Sequence, residues 1–295
     1  MELFTYAFKA MGSPCEFQLY CRSQTEFNEC YLAAENEVIR LEKKYSRYLN
    51  DSVTAMINSV AKDGGSIVVD DETSGIIDFA DQCYQLSEGL FDLSSGYFRN
   101  LWNFKSRTVP SSAKIMEALG FVGWSKITWN RPTLSFKQGG MELDFGGCVK
   151  EYAVDAAASL LKTMGITSGI IDLGGDIAAI GPHPDGAPWL IGIRHPRQKD
   201  EPVAMIPLAS GALTSSGDYE RYFIKDGHRY CHIINPETGM PANQCQSVSV
   251  MADQAIVAGA ASTIAFLMGS NKGQAWLKEM GLSYLMIDSK GNIDT

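Results

Sequence analysis

Apolar residues recur at spacings of three and four along residues 25–47, with Phe27, Tyr31, Ala34, Val38 and Leu41 in one stripe. That period predicts a long amphipathic helix. Residues 3–9 and 14–21 alternate apolar with polar positions, which predicts a hairpin turning through Gly12-Ser13-Pro14. Asp51 or Ser52 can cap a short helix reaching Asn58. A short strand over 66–69 follows, then a helix that starts at Asp71 or Thr73 and ends near Gly89. Residues 91–104 are rich in aromatics, as core or as the lip of a pocket for a flat ring. Beyond them the pattern predicts short strands over 125–145 and an amphipathic helix over 147–164. Ile170-Ile171-Asp172-Leu173 is a buried strand leading to Gly174-Gly175. The stretch 188–251 is strand-dominated, and a helix follows from about 254 to 268. Runs of strands interrupted by long helices predict the α+β class rather than alternating βαβ units.

Composition narrows the function classes. The chain has 295 residues, 45% of them hydrophobic and 20% charged, with a formal net charge of −9. No basic block stands out to neutralise phosphates, so nucleic acid is not an expected partner. No apolar run reaches the length of a membrane span. The first residues, Met1-Glu2-Leu3-Phe4-Thr5-Tyr6, lack the basic and apolar regions of a signal peptide, and no lipobox is seen. Seven cysteines, odd in number and without CxxC pairing, suggest reduced and mostly buried thiols. A cytoplasmic location is the expectation.

Candidate chemistry concentrates between residues 214 and 239. Thr214-Ser215-Ser216-Gly217 reads as a hydroxyl-rich loop suited to cradling a pyrophosphate through side chains and amides, or as a plain turn. Asp226-Gly227 is a favoured two-residue hairpin turn. It would pair Lys225 with His228, Phe223 with Tyr230 and Arg221 with His232 on one face of a ribbon. A cation opposite an imidazole disfavours its protonation, so His232 should remain neutral and able to accept a proton. An ordinary hairpin with a packed histidine is the plainer alternative. Upstream, Gly146-Gly147 opening a helix with Lys150 in its first turn is a plausible anion site. Gly174-Gly175-Asp176 would permit close backbone approach to a ligand, or simply make a tight turn.

The segments Thr214 to Tyr219 and His232-Ile233-Ile234-Asn235-Pro236-Glu237-Thr238-Gly239 resemble the signature region of the ApbE family, the FAD:protein FMN transferases. Collinear matches support the resemblance. They are Met11-Gly12-Ser13, Tyr45-Ser46-Arg47-Tyr48, Gly89-Leu90-Phe91-Asp92, the run from Leu143 to Lys150, Tyr152 to Asp155, and Gly174 to Ile177. The resemblance implies one domain over 1–295 with two intertwined subdomains, built as duplicated T-fold-like sheet-and-helix units. It implies an enzyme that splits FAD, attaches FMN to a Thr or Ser hydroxyl of a partner flavoprotein and releases AMP. His232 would be the base, with Arg221 as its electrostatic neighbour. Lys150, Ser215, Ser216 and Gly217 would hold phosphate. Met11, Tyr48, Asp92, Asp155 and Asp176 would line the nucleotide site, Asp155 at the ribose or adenine.

Two departures from the family pattern stand out. Relatives read G-x-A-K-G where this chain has Gly147-Cys148-Val149-Lys150-Glu151, although the Val149 carbonyl could still serve a metal. Relatives also place Asp and Thr four residues apart on the last long helix as Mg²⁺ ligands. Here Thr263 is present but Gly259 stands in the aspartate's place, and Asp253 reads as the helix cap. The expectation is a weakened metal site that Gly259→Asp would restore, with Asp176 as a possible substitute ligand. A degenerate FAD-binding protein and an FAD pyrophosphatase are the alternatives.

Overall fold

The computed structural model describes residues 1–198 and 201–295. β1 (Glu2–Ala10) and β2 (Ser13–Cys21) form the expected hairpin. Its turn is Met11-Gly12, with φ of 50° and 73°, one residue earlier than Gly12-Ser13-Pro14 suggested. α1 (Gln24–Tyr45) follows, capped by the Ser23 side chain, and buries Phe27, Ala34, Val38 and Leu41 of the expected stripe together with Cys30, with Tyr31 half-buried. Ser52 caps α2 (Val53–Asp63), which runs past Asn58. β3 (Gly65–Val68), α3 (Asp71–Leu86), a 3-10 segment (Leu93–Asn100) and α4 (Ser112–Leu119) lead to β4 (Ile127–Asn130) and β5 (Thr133–Phe136). Strands β3, β5 and β4 make a small separate sheet.

The second half builds the frame of the molecule. It comprises α5 (Val149–Thr163), β6 (Gly169–Leu173), β7 (Asp176–Gly181), β8 (Trp189–Arg194), β9 (Pro202–Leu208) and β10 (Gly211–Gly217). A ribbon of β11 (Tyr222–Lys225) and β12 (His228–Cys231) precedes β13 (Cys245–Ala252), α6 (Ala255–Met268), α7 (Ser270–Glu279), β14 (Ser283–Asp288) and β15 (Ile293–Asp294). Eight strands join in the order β1-β2-β6-β7-β10-β13-β14-β15, every neighbouring pair antiparallel. The α+β class expected from the pattern is what the chain adopts.

Alternation along the central strands explains their unbroken apolar sequence. Ile171, Ala178 and Ala212 face the helices, packing with Val38, Leu41, Ala153, Ala157 and Ile264. Their chain neighbours Ile170, Ala179 and Leu213 face the other way, against Trp189, Ile191 and Leu208 of the β8–β9 hairpin. A strand covered on both faces has no polar face to display. All seven cysteines are free and buried. No helix among the described residues is long and apolar enough to cross a membrane.

The cap of α6 corrects one expectation. Gln254, not Asp253, is the N-cap residue, and its side chain makes no capping bond. The first two amides of α6 instead donate to Asp155 on α5, Ala255 N to Oδ1 at 2.7 Å and Ile256 N to Oδ2 at 2.9 Å. Both oxygens of Asp155 thereby hold helix amides, a capping role that the sequence does not announce. Asp155→Ala would orphan both amides and is expected to cost about 1–2 kcal/mol of stability. Chemical denaturation should show that loss, whereas Asp253→Ala should stay within about 0.5 kcal/mol of wild type.

Candidate functional site

Two tight turns define one end of the large sheet. Antiparallel pairing of β2 with β6 sets Cys15 opposite Leu173, which brings Met11-Gly12 beside Gly174-Gly175. The latter pair has φ of 67° and 93°, and a Cβ on Gly174 would lie 2.5 Å from Ser13 Oγ, so glycine is required there for conformation and for space. A Cβ on Gly12 would stand 3.8 Å from the Arg221 guanidinium, which places that cation over the first turn.

β10 ends at the same place, because Leu213 pairs with Ile177 and the strand continues toward the glycine turn. The expected loop at Thr214–Gly217 is therefore an interior strand, paired with β13 from Ala212 to Gly217. Its hydroxyls alternate. Ser215 Oγ lies 2.7 Å from Ser249 Oγ, while Ser216 Oγ lies 2.8 Å from Ser262 Oγ and 2.9 Å from Thr263 Oγ1 on α6. A hydroxyl held this way is fixed in position rather than offered by a mobile loop.

The ribbon beyond it follows its sequence. Asp226 and Gly227 take φ of 50° and 76°, Lys225 pairs with His228, and Phe223 pairs with Tyr230. The His232 amide donates to the Arg221 carbonyl at 3.0 Å, so the pairing continues to those two residues. Burial, then the Arg221 guanidinium, pushes the imidazole down to about 4. The ring keeps solvent access. The imidazole is neutral at neutral pH. The following turn is pinned from within and without. Asn235 Oδ1 accepts from the Glu237 and Thr238 amides, and Trp102 Nε1 donates to the Gly239 carbonyl at 2.9 Å.

Behind these groups lies a charged cluster at the start of α5. Cys148 is the N-cap residue and its side chain makes no cap bond. Lys150 Nζ stands 2.6 Å from Asp176 Oδ2, an ion pair with Asp176 only 3% exposed. Glu151 is 9% exposed, and its Oε2 is buried with no side-chain or backbone donor in reach, while its carboxyl and that of Asp176 stand close enough to share a proton. Burial raises the Glu151 carboxyl to about 8 with the Asp176 charge adding to the rise, and burial also raises Asp176 against the pull of Lys150.

Gly259 faces this cluster. A Cβ built there would fall 2.5 Å from Glu151 Cγ, 3.0 Å from Cδ and 3.1 Å from Oε1. The volume that an aspartate on α6 would fill is thus already occupied by the Glu151 side chain. This overturns the expectation that Gly259→Asp alone rebuilds a metal pair. Asp176 does point inward after its glycine turn. With Thr263 and Ser216 the donors here are oxygen atoms throughout, the set that a hard divalent cation takes. Among the described residues no three His, Cys, Asp or Glu side chains group to hold a metal, so hydroxyls, a carbonyl such as that of Val149, or a bound phosphate would complete the shell.

The remaining expected residues divide. Tyr48 is 75% exposed and lies under the Arg47 guanidinium, 5.1 Å from the ring centroid. Arg47 in turn pairs with Asp144, whose Oδ1 accepts from the Gly146 amide at 2.9 Å. Tyr48 thus presents a free aromatic face beside the loop that opens α5. Met11 is held by its amide, which donates to Glu42 Oε1 at 2.7 Å. Asp92 is committed elsewhere. It accepts from Ser94 N at 2.7 Å, Ser94 Oγ at 2.6 Å and Trp124 N at 2.8 Å, and is 8% exposed, so it ties two loops together. Sequence reasoning missed Ser262 and the Arg47–Asp144 pair. Ser262 could have been found as the hydroxyl beside Thr263; nothing in the pattern marks the second.

Comparisons with known proteins match nearly the whole chain. The model of the ApbE family matches residues 11–286. An FAD:protein FMN transferase of Treponema pallidum is 30% identical over 300 residues, covering 94% of this chain and 82% of that protein. One of Vibrio cholerae is 31% identical over 248 residues, covering 82% and 74%. Among solved structures, the ApbE protein of Thermotoga maritima superposes with a TM-score of 0.91 at 31% identity, covering 99% of this chain and 96% of that one. The flavin transferase ApbE of Vibrio cholerae superposes with a TM-score of 0.88 at 25% identity, again covering 99% and 96%.

Proposed function

The chain belongs to the ApbE family, and from that premise we propose that it is an FAD:protein FMN transferase acting on a Thr or Ser hydroxyl of a partner flavoprotein. The acceptor oxygen attacks the phosphorus on the FMN side of the FAD pyrophosphate. An O–P bond forms to the acceptor as the bridging P–O bond breaks, and AMP leaves with the bridging oxygen. The hydroxyl proton goes to His232, whose imidazole is free to take it. The single observation that carries this reading is the meeting of a neutral His232, Arg221 and Lys150 at the end of the sheet beside the two glycine turns.

Arg221 supplies positive charge over Met11-Gly12, where pyrophosphate oxygens would lie. Lys150 does so from the first turn of α5, whose amides and dipole favour an anion. Ser215, Ser216 and Gly217 shape the wall on the β10 side, and Tyr48 offers a face on which a flavin or adenine ring can stack. Mg²⁺ would be held by oxygens of Glu151, Asp176 and Thr263, with the Val149 carbonyl at the opening of α5. Bound there, such a cation neutralises charge on the pyrophosphate. The reading of a degenerate FAD-binding protein rested on Gly259, and the carboxylate packed beside Gly259 removes its motive.

Incubation with FAD, Mg²⁺ and an acceptor flavoprotein should release AMP only when the acceptor hydroxyl is present. Equal AMP release without acceptor would make the protein a pyrophosphatase.

A further inference from the structure

Gly259 and Glu151 are 108 positions apart by their numbers yet share one volume. Glycine in a helix interior costs about 1 kcal/mol relative to alanine, and α6 is otherwise an alanine-rich helix through Ala258, Ala260 and Ala261. What the glycine provides is room for Glu151. We propose that Glu151 is the transposed carboxylate ligand of a divalent-cation site between α5 and α6, supplied from α5 because α6 carries none. The role of such a cation in turnover rests on the transferase reading; its presence does not.

Three observations carry the proposal. Glu151 is buried and its Oε2 has no donor in reach, so it is satisfied only by a proton shared with Asp176 or by a cation between the two carboxyls. Asp176 stands beside it, also buried, and the neighbouring ammonium of Lys150 pairs with Asp176. The two carboxyl groups face each other closely enough to share a proton, the place a divalent cation would take between them. One turn beyond Gly259, Thr263 Oγ1 and Ser216 Oγ sit 2.9 Å apart, adding oxygen donors on the same side of α6. The plain alternative is that Glu151, third residue of α5, caps its own helix. A capping box would have Glu151 bond the Cys148 amide, but that amide donates to the Phe145 carbonyl at 3.1 Å. An oxygen-only donor set selects Mg²⁺ or Mn²⁺ over thiophilic metals.

Mn²⁺ binding, read from loss of the free-ion EPR signal with and without FAD, tests this directly. Wild type should bind Mn²⁺, and the near-isosteric Glu151→Gln should bind at least about tenfold more weakly, the scale of losing one ligand. The rise in melting temperature that Mn²⁺ gives wild type should vanish in Glu151→Gln. Glu151→Ala should lose binding, and Glu151→Ala with Gly259→Asp should regain it by moving the carboxylate back to α6. Equal affinity in wild type and Glu151→Gln, or no Mn²⁺ binding by wild type under either condition, overturns the proposal. So does a folded double variant that fails to regain binding. Mn²⁺ bound through Glu151 with no AMP ever released would leave the cation site standing and remove the transferase reading.

Discussion

His232→Ala is expected to slow AMP release from FAD by about 10²–10⁴-fold, the usual worth of a positioned general base. FAD affinity should change little, because in the proposed reaction the proton that His232 takes belongs to the acceptor hydroxyl and not to the bound nucleotide. The pH dependence follows from the direction of the shift. Burial and Arg221 hold the imidazole down to about 4. The neutral, base-competent form therefore persists as pH falls from 7, and the His232 limb of the profile lies well below the ordinary histidine range near 6.5. Arg221→Ala removes the second cause and leaves burial in place, so that limb should move toward higher pH. Stability has the same sign. The unfolded chain takes up the His232 proton first, so this group costs stability as pH falls from about 6.5 toward 4. A variant that loses FAD affinity while keeping its turnover would make His232 a binding residue.

The second large effect is on the fold. Gly259→Asp is expected to destabilise the wild-type background by about 1–3 kcal/mol, the range for overpacking a filled interior, although leaving glycine should by itself favour the helix. The new Cβ would be 2.5 Å from Glu151 Cγ, and the new carboxylate would join two that are already buried. In a Glu151→Ala background the obstructing atoms are gone, and the same substitution should be far less costly. Thermal melts of the two single variants and the double variant close a double-mutant cycle. Additive effects would mean that the two side chains do not compete for one space.

What the sequence reveals and hides follows the range of the interactions. The β11–β12 ribbon was legible because Asp226-Gly227 imposes its turn locally, and its register carried through to Arg221 and His232. α1 was legible because its stripe keeps one period for 22 residues. Thr214–Gly217 misled because serine and glycine suit loops, whereas here Ser216 is satisfied by hydroxyls of α6, a partner no local pattern announces. The α6 cap misled in the same way. Asp253 is adjacent in sequence, but the amides go to Asp155, about a hundred residues upstream. α7, β14 and β15 were not anticipated, since the pattern was followed only to 268. Glu151 and Gly259 each looked like an isolated departure from a family pattern. Only packing shows that the two positions meet in one volume.

Intact-mass spectrometry of an acceptor flavoprotein domain, after incubation with this protein, FAD and Mg²⁺, tests the central claim most directly. The predicted result is an acceptor heavier by one FMN phosphoester at its Thr or Ser, with AMP released in equal amount and no gain when that hydroxyl is removed. An acceptor that stays unmodified while FAD is bound or cleaved would contradict it.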